Sequence, residues 1–176
     1  MIRKIIISWI AATSLILFST QAFALINLSV GVPLSHTFTK LDDVEADGVS
    51  GYFIQVGIPI LPGIGMDNIE TKIKDGNTIA TTMYNLYYLL PIPVINLTFG
   101  VGVGNTEVKC ETCSAIYEKG GATQVYASLG FPIIPLFDLH LSYRSVSSKV
   151  KGKGANEGND VDLGGNVMGL GIGFNF

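Results

Sequence analysis

Met168-Gly-Leu-Gly-Ile-Gly-Phe-Asn-Phe176 carries an apolar side chain at every second position, with glycine or asparagine between. A period of two is the mark of a strand whose two faces meet different surroundings. Met168, Leu170, Ile172, Phe174 and Phe176 make one face bulky and greasy, while Gly169, Gly171, Gly173 and Asn175 make the other small. Such a strand suits a wall with a crowded space on one side and room for bulk on the other.

The same alternation recurs along most of the chain. Leu28, Val30, Val32 and Leu34 oppose Asn27, Ser29, Gly31 and Pro33; Tyr52 to Ile60 alternate with Phe53, Gln55, Gly57 and Pro59. A weaker third segment sets Ile69, Thr71 and Ile73 against Glu70 and Lys72. A fourth separates Tyr84, Leu86, Tyr88 and Leu90 from Met83, Asn85, Tyr87 and Leu89, so its small face is impure. Ile95 to Val103 alternate with Asn96, Thr98 and three glycines, and Val125 to Phe131 with Gln124, Tyr126, Ser128 and Gly130. Phe137, Leu139, Leu141 and Tyr143 then face away from Asp138, His140, Ser142 and Arg144. With 168–176 this makes eight predicted strands.

The connections alternate as well. PILPG (59–63), PIP (91–93) and PIIP (132–135) are short, apolar and marked by proline. SHTFTKLDDVEADG (35–48), KDGN (74–77), NTEVKCETCSAIYEKGG (105–121) and SSKVKGKGANEGND (147–160) are polar and mostly longer. Tight turns on one rim and polar loops on the other describe an antiparallel up-and-down barrel of the bacterial outer-membrane kind. The expectation is therefore all-β, with both termini on the periplasmic side.

The N-terminus adds the export route. Arg3 and Lys4 precede an uncharged run from Ile5 to Phe18, followed by Ala22-Phe23-Ala24. That order predicts a secretory signal cleaved after residue 24, leaving 25–176 as the barrel. Of 11 Lys and Arg against 14 Asp and Glu, Arg3 and Lys4 leave with the signal, so the mature net charge is −5. A basic footprint for nucleic acid is missing. No later stretch is a candidate membrane helix, and only a closed barrel can otherwise cross a bilayer.

Which face is greasy separates a membrane barrel from a soluble carrier. A soluble barrel packs its apolar face inward, whereas here the small polar face suits a narrow interior and the large apolar face suits lipid. The chain as a whole resembles the small eight-stranded outer-membrane proteins, among them the barrel of outer-membrane protein A and outer-membrane proteins X and W. The segments PILPGI, LYYLLPIPVINLTFGVGV and LFDLHLSYRSV also look like those of an uncharacterised proteobacterial outer-membrane family. The resemblance implies residence in the bacterial outer membrane, amid its lipid and lipopolysaccharide. Gly171, Phe174 and Phe176 match the C-terminal signal that the barrel assembly machinery reads, with Gly169 departing from it. No periplasmic domain for peptidoglycan is expected after Phe176.

Candidate sites are few. Asp138, His140 and Arg144 form a polar stripe facing the lumen, and buried charges there should be paired. Glu70 and Lys72 either join them or lie in water at the rim. His140-Leu-Ser142 resembles the His-x-Ser pair of lipid A deacylases, a lipid-modifying alternative in which the histidine activates the serine. Tyr143 stands where those enzymes have asparagine, and no acid is placed to complete a triad. A satisfied lumen histidine in a non-enzymatic structural, adhesive or small-solute-binding barrel is the preferred reading. Cys110 and Cys113 are expected to form a local disulfide after export. Zinc would need two further ligands, so neither metal nor cofactor is expected.

Overall fold

The computed structural model describes residues 26–41, 45–74, 76–92, 95–110, 112–134 and 136–175. The signal expected over 1–24 and the terminal Phe176 lie outside these. Eight long strands form the wall: β1 (Asn27–Phe38), β2 (Ala46–Gly57), β3 (Pro62–Ile73), β4 (Thr78–Ile92), β5 (Ile95–Lys109), β6 (Gly120–Ile134), β7 (Phe137–Val150) and β9 (Gly165–Asn175). A two-residue strand, β8 (Val161–Asp162), a helical turn, α1 (Cys113–Ile116), and a 3-10 turn (Gly154–Asn156) lie in the connections. Each long strand is antiparallel to its neighbours, and β9 pairs with both β7 and β1, which closes the barrel. Closure leaves no edge among the long strands, so the backbone is satisfied within the wall.

The ladders differ in length. β4 and β5 stay in register from Thr78↔Lys109 to Ile92↔Ile95. β1 and β2 pair only from Asn27↔Gly57 to Gly31↔Phe53. Pro33, which lacks an N–H, and a bulge between Pro33 and Ser35 lie just beyond the end of that ladder.

On the outside, an apolar belt rings the half of the barrel nearer the short turns. Its upper edge is Leu34, Tyr52, Met66, Tyr84, Val103, Val125, Tyr143 and Met168. Above it the outward positions become Ser35, Ser50, Asn68, Thr82, Asn105, Thr123, Ser145 and Asn166. Higher still come Glu70, Lys72, Glu107, Lys109 and Lys149.

The interior changes in the opposite sense at the same level. Beside the belt it holds Asn27, Gln55, Asp67, Asn85, Asn96, Gln124, Asp138, His140 and Arg144, all buried. Above the belt it holds Ile69, Ile79, Met83, Val146, Val150, Leu163 and Val167. The wall is thus greasy outside and mainly polar inside within the membrane, apart from a buried cluster of Tyr87, Leu89 and Tyr126, and polar outside and mainly greasy inside beyond it, where His36, Thr71, Thr81, Thr106 and Ser148 are buried as well.

This inversion corrects the reading of the third segment. Ile69 and Thr71 face inward at 2% and 0% exposure, and Glu70 and Lys72 face outward. Glu70 accepts a hydrogen bond from Lys109 at 2.7 Å on the outer surface, so it is not part of any lumen plug. The segment stands above the membrane, where water and not lipid meets the outer face. The same cause shortens the expected loops. β1 runs on to Phe38, β5 to Lys109 and β7 to Val150, because strand residues with polar outer faces read as loop.

Candidate functional site

The interior narrows on Arg144, whose position on β7 points it inward at 2% exposure. Its guanidinium lies 3.5 Å from the ring centre of Phe53 and 4.8 Å from that of Tyr126, stacked as a cation on aromatic faces. Nε donates to Asp67 Oδ2 at 3.0 Å, and Nη1 donates to Ser142 Oγ. Gln124 Nε2 donates to the same Asp67 oxygen at 2.6 Å and also to Asn85 Oδ1. Gln55 Nε2 donates to Tyr126 Oη at 2.6 Å. Five strands contribute to this layer, which crosses the whole lumen.

A second layer lies nearer the turns. His140 Nε2 is 2.6 Å from Asp138 Oδ1, an ion-pair distance off the line of a good hydrogen bond. The other carboxylate oxygen accepts from Asn96 and, at 3.0 Å, from Asn175. Asn27 Nδ2 donates to Asn175 Oδ1 at 2.7 Å, which ties the first and last strands together. Between the layers is a cavity of about 20 Å³ lined by Ser29, Gln55, Ser128, His140, Ser142 and Arg144 among others. That is room for about one water molecule.

The glycines of the opening stretch explain how so much fits. A Cβ on Gly173 would stand 2.0 Å from Asp138 Oδ1, and one on Gly169 would stand 2.4 Å from the Phe53 ring. Tyr126 likewise lies over Gly100, where a Cβ would be 2.2 Å from ring carbons. Asp138, Phe53 and Tyr126 thus occupy space that a glycine on another strand leaves open.

Above Arg144 the lumen is filled mainly with hydrocarbon. Phe53, Ile69, Val146 and Val167 form one cluster, and Ile79, Val150 and Leu163 another, over which Phe38, Leu41 and Tyr117 pack. His36 Nδ1 and Thr71 Oγ1 meet at 2.8 Å within this zone. The loops then join over the mouth. Glu118 N–H donates to Lys151 O at 2.8 Å, and Lys153 N–H to Ile116 O at 2.7 Å. Cys110 and Cys113 are joined in a disulfide at the start of α1. Lys40 and Asp162 pair at 2.8 Å across the cap. The Lys40 ammonium, with the Gly164 N–H assisting, holds the Asp162 carboxyl below the usual carboxylate range.

Asp138, His140 and Arg144 all point into the lumen, but they do not form one cluster: Arg144 belongs to the middle layer and the other two to the lower one. Ser142 accepts from Arg144 and points toward Gly169 O at 3.3 Å, while His140 is turned to Asp138. Phe174 stacks edge-on against Phe137 with ring centres 4.8 Å apart, and Gly171 packs against the β1 backbone. Among the described residues no group of three or more His, Cys, Asp or Glu side chains gathers as metal ligands. Sequence reasoning missed Asp67, the partner of Arg144. Gly63, Gly65 and Asp67 continue the small face of β3 into Ile69 and Thr71, and that continuity was the available signal.

A closed wall of eight strands with an outward apolar belt defines a small transmembrane β-barrel of the outer-membrane type. No family model and no curated protein sequence matches the chain. Solved structures do match in fold. Neisserial surface protein A superposes with a TM-score of 0.59 at 10% identity, over 86% of this chain and 97% of its own. Outer membrane protein W of E. coli gives 0.52 at 12% identity, over 87% and 98%. Ail, the attachment invasion locus protein of Yersinia pestis, gives 0.51 at 15% identity, over 86% and 97%. At such identities the likeness is one of architecture.

Proposed function

We propose that this protein is a resident of the bacterial outer membrane that acts through its outer surface and its loop cap, in a structural or adhesive role, and passes nothing through its lumen. The observation that carries this reading is the layer at Arg144. A buried cation held by Asp67, Ser142, Phe53 and Tyr126 spans an interior that eight strands leave only just wide enough for side chains. The hydrocarbon above it and the hydrogen-bonded loops over the mouth support the same conclusion. In this reading His140 and Ser142 are wall-filling residues and not a hydrolase pair. Both face away from lipid, and each is engaged by a different partner.

Insertion by the barrel assembly machinery, through Gly171, Phe174 and Phe176, belongs to the same proposal. It is supported by the outward, turn-side placement of Phe174 against Phe137. The test is electrical and topological. Purified barrel in planar bilayers should show no stable open level, and a tag in the 112–119 segment should be labelled on intact cells. Steady single-channel conductance, or labelling only after the envelope is breached, would contradict the proposal.

A further inference from the structure

The upper part of β1 is laddered on one side alone. Its pairing with β2 ends at Gly31↔Phe53, whereas its pairing with β9 runs on past the bulge at Pro33 and Ser35 to Phe38↔Gly165. On β2, just beyond that end, Gly51 takes a φ of 133°, outside the ordinary strand region. His36 points inward from the one-sided stretch, above the apolar belt, and is 9% exposed. Its Nδ1 meets Thr71 Oγ1 of β3 at 2.8 Å, a bond that reaches past β2 inside the lumen and ties the stretch to the wall beyond. Its Nε2 is buried without a hydrogen-bond partner among the described residues and lies against β9, where a Cβ on Gly165 would stand 2.6 Å from it.

The ring's surroundings hold no free charge. They are Phe38 on β1, with ring centres 4.5 Å apart, Val49 on β2, Thr71 on β3, and Gly165 and Val167 on β9. Glu70 and Lys72, beside Thr71, face outward. Arg144, across Val167 on β7, and Asp67, lower on β3, are held to each other, and Lys40 and Asp162 pair in the cap. A neutral imidazole fits such a place, with Thr71 serving one nitrogen and the other left as a bare lone pair. A second ring proton would make a buried cation whose N–H has no acceptor. We infer that His36 is an acid-released latch: its protonation frees the upper part of β1 from Thr71 and β9 and loosens the loop-side end of the barrel, while the membrane half stays closed.

Burial pulls the His36 pKa down to about 4 in the closed barrel. In an opened segment the ring returns to the ordinary value of about 6.5. Both states are neutral above that value, so the latch holds fully there. As pH falls toward the lowered value only the opened segment binds a proton, and the tie is lost. Asp162, whose carboxyl is held below the usual range, keeps its tie to Lys40 through this window.

The latch is tested by amide hydrogen exchange of the full barrel in phospholipid nanodiscs at about pH 7.5 and about pH 5, on either side of the ordinary histidine value and corrected for intrinsic rates. Protection over 34–38 should fall about tenfold or more in the wild type, as the two pKa values require, with the paired stretch of β4 and β5 from Tyr84↔Val103 to Leu90↔Leu97 unchanged. His36→Leu should abolish the response, and His36→Gln carries the same expectation if the leucine variant does not fold. In the wild type itself, nuclear magnetic resonance of the His36 imidazole should give a titration midpoint below the ordinary histidine value. Unchanged protection over 34–38, a response that survives removal of the histidine, an ordinary midpoint for the ring, or an equal loss along β4 and β5 would overturn the latch.

Discussion

Strand β7 is one continuous ladder from Phe137 to Val150, yet its two halves obey opposite rules. Up to Arg144 its outer face is Phe137, Leu139, Leu141 and Tyr143, and its inner face is Asp138, His140, Ser142 and Arg144. From Ser145 onward the outer face is Ser145, Ser147 and Lys149, and the inner face is Val146, Ser148 and Val150. The backbone does not change; the solvent outside does. In the membrane half, lipid takes the apolar side chains and polar groups must find each other in the lumen. Beyond it, water meets the wall and the hydrophobic effect turns the apolar side chains inward, as in a soluble barrel.

The comparison is broken most severely at its pivot. Arg144→Met removes the cation that compensates Asp67 in the buried middle layer, and breaking a buried pair from one side costs about 3–5 kcal/mol. Urea unfolding in lipid should show that loss for the single variant. Asp67→Leu added to Arg144→Met should recover a large part of it, because no lone charge then remains. Equal instability of both would mean that packing on Phe53 and Tyr126, and not charge pairing, dominates the layer.

A second perturbation contrasts the halves on a single strand. Leu86 and Thr78 both face outward on β4, the first within the belt and the second above it. Leu86→Lys should destabilise by about 2–4 kcal/mol, as a lysine near the bilayer midplane does, and Thr78→Lys by about 0–1 kcal/mol. Similar costs at both positions would place them at the same depth and remove the boundary between them.

How far the sequence revealed this follows from where each segment lies. Strand number, order, closure and the outward belt were legible, because glycine-rich alternation such as Met168 to Asn175 has one reading in a narrow barrel. The lumen positions of Asp138, His140 and Arg144 came from the same parity, since β7 was read in its membrane half. β3 was misread because most of it stands above the bilayer. There the rule that apolar means outward inverts, and so Ile69 was turned the wrong way and Asp67 passed unnoticed. The pairing of Asp67 with Arg144 joins residues 77 apart in sequence, and no local pattern reports it. The cap shared by the third and fourth loops was hidden for the same reason.

The smallest expected effect lies in that cap. Asp162 has its carboxyl pKa lowered in the folded protein by Lys40, so the tie contributes fully above the ordinary carboxylate range and is lost as pH falls through the lowered value. From about pH 4 downward, the ordinary aspartate range, protease cleavage within 151–160 should increase with the barrel still compact on gels. Lys40→Gln should show the higher cleavage already at neutral pH. Collapse of the whole barrel over that pH range would mean that the cap and the membrane half are one cooperative unit.

The inversion itself is tested most directly by spin labels placed one at a time along β7 in bilayers, with Cys110 and Cys113 replaced by serine. Labels at 139, 141 and 143 should be reached by oxygen dissolved in lipid, and labels at 145, 147 and 149 by a water-soluble nickel complex, with the change falling between Tyr143 and Ser145. Oxygen access continuing through 147 and 149, or nickel access already at 141, would contradict the assignment of opposite surroundings to the two halves of the barrel.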